Sequence, residues 1–204
     1  SMRVLFFVDT HGLRSLDRIE EKSKDSDVLV CCGDITDFGM DLDKILKKLN
    51  SIGKKVILIH GNHESDDLGL ECKDYTNISF IHRAYEIVGD YIFYGFGGGG
   101  FSYTDSEFRR ESENFMKEYE ELCKTNNKKY KLILLTHAPP FETKLDMVNK
   151  YEGHVGNKDI KNFILKYKPF MAVSGHIHES AGSDETLEGV RLINPGSSGM
   201  IIKL

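Results

Sequence analysis

Five apolar runs along the chain each stop at a residue able to bind metal or phosphate. They are RVLFFV before Asp9-Thr10-His11, DVLVCCG before Asp34, KVILIHG before Asn62-His63, KLILLT before His137, and FMAVSG before His176-Ile177-His178. Near-continuous Val, Ile and Leu runs are the pattern of strands buried on both faces, and open α/β sheets gather ligands at the carboxyl ends of such strands. The pattern therefore predicts that Asp9, His11, Asp34, Asn62, His137, His176 and His178 share one rim. Amphipathic segments at Leu13 to Lys24, Leu42 to Ile52, Ser106 to Cys123 and Lys158 to Tyr167 predict helices, so the first half reads βαβαβ. From Asn77 to Phe96 short strands follow in quick succession (ISFIH, YEIVG, YIFYGFG), and VRLIN and MIIKL repeat this near the carboxyl end. The expected architecture is α/β, two sheets with helices outside. With 204 residues and no Pro- or Ser-rich linker, one domain over residues 1–204 is expected.

Composition narrows the function classes. A net charge of −5 argues against a general nucleic-acid-binding surface, which is normally basic. The Lys-rich stretch from Lys124 to Lys131 reads as a solvated turn. No apolar stretch reaches the roughly 18 residues a membrane span needs, and SMRVLFFVDT runs straight into a strand without a signal-peptide pattern. Ser1 before Met2 reads as a cloning remnant. Cys31, Cys32, Cys72 and Cys123 lack CxxC or finger spacing, and the adjacent pair in a strand should point to opposite faces. Reduced structural cysteines and a cytoplasmic location are the expectation.

The chemistry-bearing pairs come next. Asp9 and His11 stand at i and i+2 as a strand ends, so in extended backbone their side chains leave on one face and can grip one ion; His176 and His178 repeat the spacing. Two strand positions advance about 6.6 Å, a reach suited to ions held roughly 3.5 to 4 Å apart in a two-metal site. Mixed imidazole and carboxylate ligands suit Mn, Fe, Ni, Co or Zn better than Ca or Mg.

The ordered blocks DTH, GDITD, GNHE, TH and GHIH, spread over positions 9 to 178, resemble the calcineurin-like metallophosphoesterase superfamily. TKLDMV, GHVGNKDI, GHIHES and INPGSSG look most like its small single-domain phosphoesterases related to the cyclic-nucleotide phosphodiesterase Icc type. The resemblance implies an αββα sandwich and two divalent transition-metal ions, manganese first among the candidates. It implies Asp9, His11 and His178 around the first ion, Asn62, His137 and His176 around the second, and Asp34 bridging them. A bridging hydroxide would attack phosphorus in line, and His63, held by Asp37, would protonate the leaving oxygen, with Asn62 also counted in the catalytic set. The protein-phosphatase branch continues its GDxxD block with Arg-Gly, whereas this chain has Phe38-Gly39. The guanidinium clamp for a phosphate dianion is therefore missing, which favours phosphodiesters. Nuclease branches carry an added domain that 204 residues scarcely accommodate.

Weaker signals have plainer readings. His60 reads as structural and His82 has no motif; for His154, in EGHVGN, substrate contact and loop structure weigh equally. Gly95 to Gly100 formally contains GxGxxG, but FSYTDSEF delays any helix beyond the place a pyrophosphate needs it, so a flexible loop bordering the cleft is expected. Phe101, Tyr103 and Phe141 read as packing or nucleobase platforms, and Pro139-Pro140 as a strand stop. Beside a phosphodiesterase acting on a small phosphate ester stand a phosphomonoesterase or nucleotidase on the same site, a non-catalytic scaffold of this fold, and a Rossmann-type nucleotide binder. The substrate, oligomeric state and metal identity are left open by the sequence.

Overall fold

A computed structural model describes residues 1–204. The first strand, β1 (Arg3–Phe7), is followed by α1 (Leu13–Ser23), β2 (Val28–Cys31), α2 (Leu42–Ser51), β3 (Lys55–Leu58), α3 (Leu68–Cys72) and β4 (Ile78–Phe80). Then come β5 (Ala84–Val88), β6 (Tyr91–Phe96), α4 (Ser106–Thr125), β7 (Lys131–Thr136), α5 (Lys158–Tyr167) and β8 (Met171–Val173). A 3₁₀ turn (His178–Ser180) leads into β9 (Asp184–Leu187), β10 (Val190–Ile193) and β11 (Met200–Lys203). One sheet has the order β11-β1-β2-β3-β4 and the other β5-β6-β7-β8-β10-β9. Both are mixed: β1, β2, β3 and β4 pair in parallel with β11 antiparallel at the edge, and β6, β7, β8 and β10 pair in parallel between antiparallel β5 and β9.

Alternation along β1 shows why the inner strands are apolar throughout. Val4, Phe6 and Val8 enter a core between the two sheets, with Val30, Ile57, Phe93 and Ile133, while Leu5 and Phe7 turn to the opposite face against Leu16, Ile45 and Leu46 of α1 and α2. The second sheet covers its outer face with Phe108 and Phe115 of α4 and Ile160 and Phe163 of α5. The inner strands β1, β2, β3, β6, β7 and β8 are thus buried on both faces, and the result is helix, sheet, sheet, helix. Cys31 and Cys32 part as expected, Cys31 into the helix-facing core and Cys32 into the core between the sheets, and all four cysteines are free thiols.

Two elements were not foreseen. The short α3 has only five residues, too few for a periodic signal, and β9 carries the polar sequence DETL on a sheet edge. The i, i+2 strand argument needs correction as well. β1 stops at Phe7, and Asp9 (φ 57°) and His11 (φ 50°) lie beyond it in left-handed backbone; His176 (φ 71°) does the same beyond β8, and His178 opens the 3₁₀ turn. The chain leaves the ladder because Asp9 N–H donates to Gly33 O and His11 N–H to Asp34 O, which ties the first rim loop to the second.

Candidate metal centre

The site is built from the carboxylates outward. Asp34, nearly buried, accepts the backbone N–H of His63 on Oδ1 (2.9 Å), which leaves Oδ2 facing His137 Nε2 at 3.2 Å and His11 Nε2 at 3.8 Å. Asp9 is arranged alike: Oδ2 accepts His176 N–H (3.0 Å), while buried Oδ1 has no hydrogen-bond partner. That oxygen stands 3.8 Å from His178 Nε2 and 3.9 Å from both His11 Nε2 and His137 Nε2. Each carboxylate is thus held by the backbone through one oxygen and presents the other to imidazole nitrogens. Gly61 permits the tight approach of the two loops, since a Cβ there would fall inside the contact distance of Asp34 Oδ1.

The imidazoles are oriented for the same centre. His137 Nδ1 lies 2.8 Å from Cys32 O and His11 Nδ1 lies 3.2 Å from Thr36 O. A carbonyl only accepts, so these Nδ1 atoms carry a proton, and both Nε2 atoms face the centre as the positions a cation would take. His11 Nε2 and His178 Nε2 face each other at 3.2 Å; His137 Nε2 and His176 Nδ1 lie 2.9 and 3.0 Å from Asn62 Oδ1. Atoms about 2.0 to 2.2 Å from one ion stand roughly 3 to 3.5 Å apart, close to most of these separations. An orphaned buried carboxylate oxygen among converging lone pairs is a donor set that fits cations. Asp9, His11 and His178 form one cluster, and Asp34 and His137 a second that Asn62 and His176 extend. Asp9 Oδ1 belongs to both clusters, a sharing that the sequence pattern did not suggest.

Protonation reflects this crowding. Burial favours the neutral acid at Asp34, but the His137 hydrogen bond and charge and the His63 N–H outweigh it and lower the carboxyl to about 2. Burial likewise disfavours a charged His137, yet Asp34 and Asp9 raise its pKa. Burial, then the charge of Asp34, raises Asp9, although the imidazoles oppose the rise. His176 is lowered to about 4, by burial and next by His137, so it presents a neutral ring.

His63 adjoins the cluster with His11 and Asp34. Its ring is stacked on Phe38 (centroids 4.0 Å apart, 22° between planes) and meets His11 edge-on at 4.6 Å. Asp37 Oδ1 lies 3.3 Å from His63 Nδ1, an ion-pair distance without hydrogen-bond alignment. Stacking therefore sets the orientation of His63 more than Asp37 does. The glycine run borders the cleft: Gly98 N–H donates to His60 O, and a Cβ on Gly100 would lie 2.8 Å from the His176 ring. Helix α4 starts only at Ser106, too late for a dinucleotide turn. His60 is buried against His82 (4.6 Å) and lowered to about 4 by burial and His82, a neutral structural ring. His154 Nδ1 is bound to fully buried Asp146 Oδ1 at 2.6 Å, and Asp146 also accepts N–H groups of Glu142, Thr143 and Gly156, which pins the loop after His137.

Sequence reasoning gave no role to Glu64, the last residue of GNHE. Its carboxylate accepts Asp34 N–H (2.9 Å), Thr36 N–H (3.2 Å), Thr36 Oγ1–H (2.7 Å) and Gly61 N–H (3.2 Å), cross-linking the loops that carry Asp34 and Asn62. Glu64→Ala is expected to lower bound metal and cut kcat/KM by ~10- to 100-fold, the usual cost of removing a residue that orients ligands. Elemental analysis alongside kinetics checks this, and wild-type values for both would refute it.

Fold and cluster together bring candidate metal ligands to one rim of a two-sheet α/β architecture. A profile for calcineurin-like phosphoesterases matches residues 2–180, and the chain belongs to that family. An uncharacterized protein of Methanocaldococcus jannaschii is 27% identical over 207 residues, covering 98% of this chain and 91% of its own. Among solved structures, TT1561 of Thermus thermophilus superposes with a TM-score of 0.74 at 15% identity, over 97% of this chain and 90% of that one. A dimetal phosphatase from Danio rerio gives 0.55 at 11% identity, over 94% and 86%. These two likenesses establish the fold. No helix is long and apolar enough to cross a membrane.

Proposed function

We propose that the protein is a two-metal phosphodiesterase acting on a small phosphate ester, with Asp9, His11 and His178 holding one divalent ion, Asn62, His137 and His176 the other, and Asp34 shared. The observation that carries this reading is the pair of half-satisfied carboxylates, whose free oxygens face imidazole nitrogens. Ions bound there would supply the positive charge that acidifies water and neutralises phosphate oxygens. The chain's own part is to fix the geometry. Backbone N–H bonds lock the carboxylates, carbonyls lock the His11 and His137 tautomers, and His63, pressed between Phe38 and His11, is placed to hand a proton to the departing oxygen. Water gives up one proton to solvent as its oxygen bonds to phosphorus, the ester P–O bond breaks, the His63 proton ends on the alcohol, and His63 regains a proton from solvent.

A preference for diesters is supported by the missing dianion clamp. Phe38 stands where the phosphatase branch has Arg, and the guanidinium of Arg109 is already paired with Asp159 at 3.2 Å. A diester carries a single charge and needs no such clamp. The Danio rerio neighbour is called a dimetal phosphatase, which favours monoester hydrolysis as the second reading. The expected result is activity restored to chelated protein by manganese above other divalent ions, with a higher kcat/KM for bis(p-nitrophenyl) phosphate than for p-nitrophenyl phosphate. Activity untouched by chelator would reject the metal chemistry, and a reversed substrate order would reject the diester preference alone.

A further inference from the structure

Phe38 is held in left-handed backbone (φ 52°), leaves 78% of its surface exposed, and still covers one face of His63. A large apolar ring left exposed at the mouth of a cavity gives that cavity an apolar wall. Next to it opens a cavity of about 420 Å³ whose walls include Phe38, Leu42, Leu68, His63, Asp67 and Glu71. That volume falls in the range of small-ligand sites, roughly 300 to 1,000 Å³. The apolar side comes from the loop after β2, from α2 and from α3; no Lys or Arg lines the space. Glu64, also in the wall, is committed to backbone N–H groups, whereas the Asp67 and Glu71 carboxylates have no cationic partner.

Resting on the proposed phosphodiesterase reading, we infer that this cavity is the leaving-group subsite. Phe38, Leu42 and Leu68 receive an apolar or aromatic alcohol, and Asp67 and Glu71 turn away an alcohol that carries its own negative charge. The argument is geometric. A proton from His63 reaches only an oxygen on its own side of the phosphorus, so the body of the departing alcohol extends past His63 and meets Phe38. Inside the cavity an anionic group would face two solvent-exposed, unpaired carboxylates and no base, a repulsion between like charges. The substrate class is then a diester of an uncharged aryl- or nucleoside-sized alcohol, and strands or nucleotides that place a further phosphate on the leaving side are excluded. Phe38 and the acidic pair act as specificity determinants.

The test uses two chromogenic diesters, methyl 4-nitrophenyl phosphate and methyl 3-carboxy-4-nitrophenyl phosphate, which differ by one carboxylate on the leaving group. Nitrophenolate departs without help from His63, so changes at Phe38 read out binding rather than proton transfer. The wild-type protein should favour the uncharged ester by ~10-fold in kcat/KM, and Asp67→Asn combined with Glu71→Gln should shrink that ratio to ~2-fold. Phe38→Ala should raise KM for the uncharged ester roughly tenfold, the loss falling on KM rather than on kcat. Because the Phe38 ring is mostly exposed, its removal leaves no internal cavity. Equal wild-type rates on the two esters, a ratio unmoved by the double substitution, or a Phe38→Ala loss confined to kcat would each overturn the subsite while leaving the metal chemistry standing. Absence of chelator-sensitive hydrolysis of either ester would overturn both.

Discussion

Asp34→Asn should release metal from both clusters and lower kcat/KM by ~10³-fold or more. The substitution is nearly isosteric, so the bond from His63 N–H to Oδ1 can persist and the buried site need not collapse. What changes is the oxygen that faces His137 at 3.2 Å and His11 at 3.8 Å. An amide nitrogen there offers hydrogen where a cation needs a lone pair, and the charge that offsets repulsion between neighbouring ions is gone. Metal-centred catalysis is worth several kcal/mol, which sets the size of the loss. Metal content, circular dichroism and kinetics on the same sample decide the matter. A folded variant with two ions per chain and wild-type rate would show that Asp34 is not shared between metals.

His63→Gln should lose activity in proportion to how badly the leaving group needs a proton. With an ordinary alcohol the loss should reach ~10² to 10⁴, and with p-nitrophenol it should shrink towards unity. Metal loss or misfolding would depress both substrates alike, so the comparison isolates proton transfer. Asp37→Asn should be milder, ~10-fold, because Asp37 lies near Nδ1 without an aligned hydrogen bond. Equal losses on both substrates with metal intact would assign His63 to phosphate binding instead.

Much of this was legible in the chain because burial on both faces leaves strong marks. The two-sheet α/β arrangement followed from RVLFFV, DVLVCC and KLILLT, and α1, α2, α4 and α5 lie within two residues of the periodic segments. The ligand candidates converge because every one of them follows a strand end. The manner of convergence was not legible. Asp9, His11, Asp34 and His176 adopt left-handed backbone that alternation cannot forecast, since it depends on hydrogen bonds between loops distant in sequence. Glu64 escaped for a related reason: a carboxylate that accepts main-chain N–H groups has no spacing signature. The cavity beside His63 needs α3, whose five residues carry no period.

The donor atoms are drawn from both sheets. Asp9, His11, Asp34 and Asn62 follow strands of the first sheet, whereas His137, His176 and His178 follow β7 and β8 of the second. In the proposed assignment each ion takes ligands from both, so an occupied centre clasps the two layers across their shared core, 167 residues apart in the case of His11 and His178. Binding energy and folding energy then become one account: a hundredfold excess of free metal over its Kd would add about 2.7 kcal/mol per site to the stability of the whole molecule. The nascent chain would be unable to complete either proposed ligand set before β8 has joined the second sheet, because His176 and His178 follow it, so full metal capture would come late in folding.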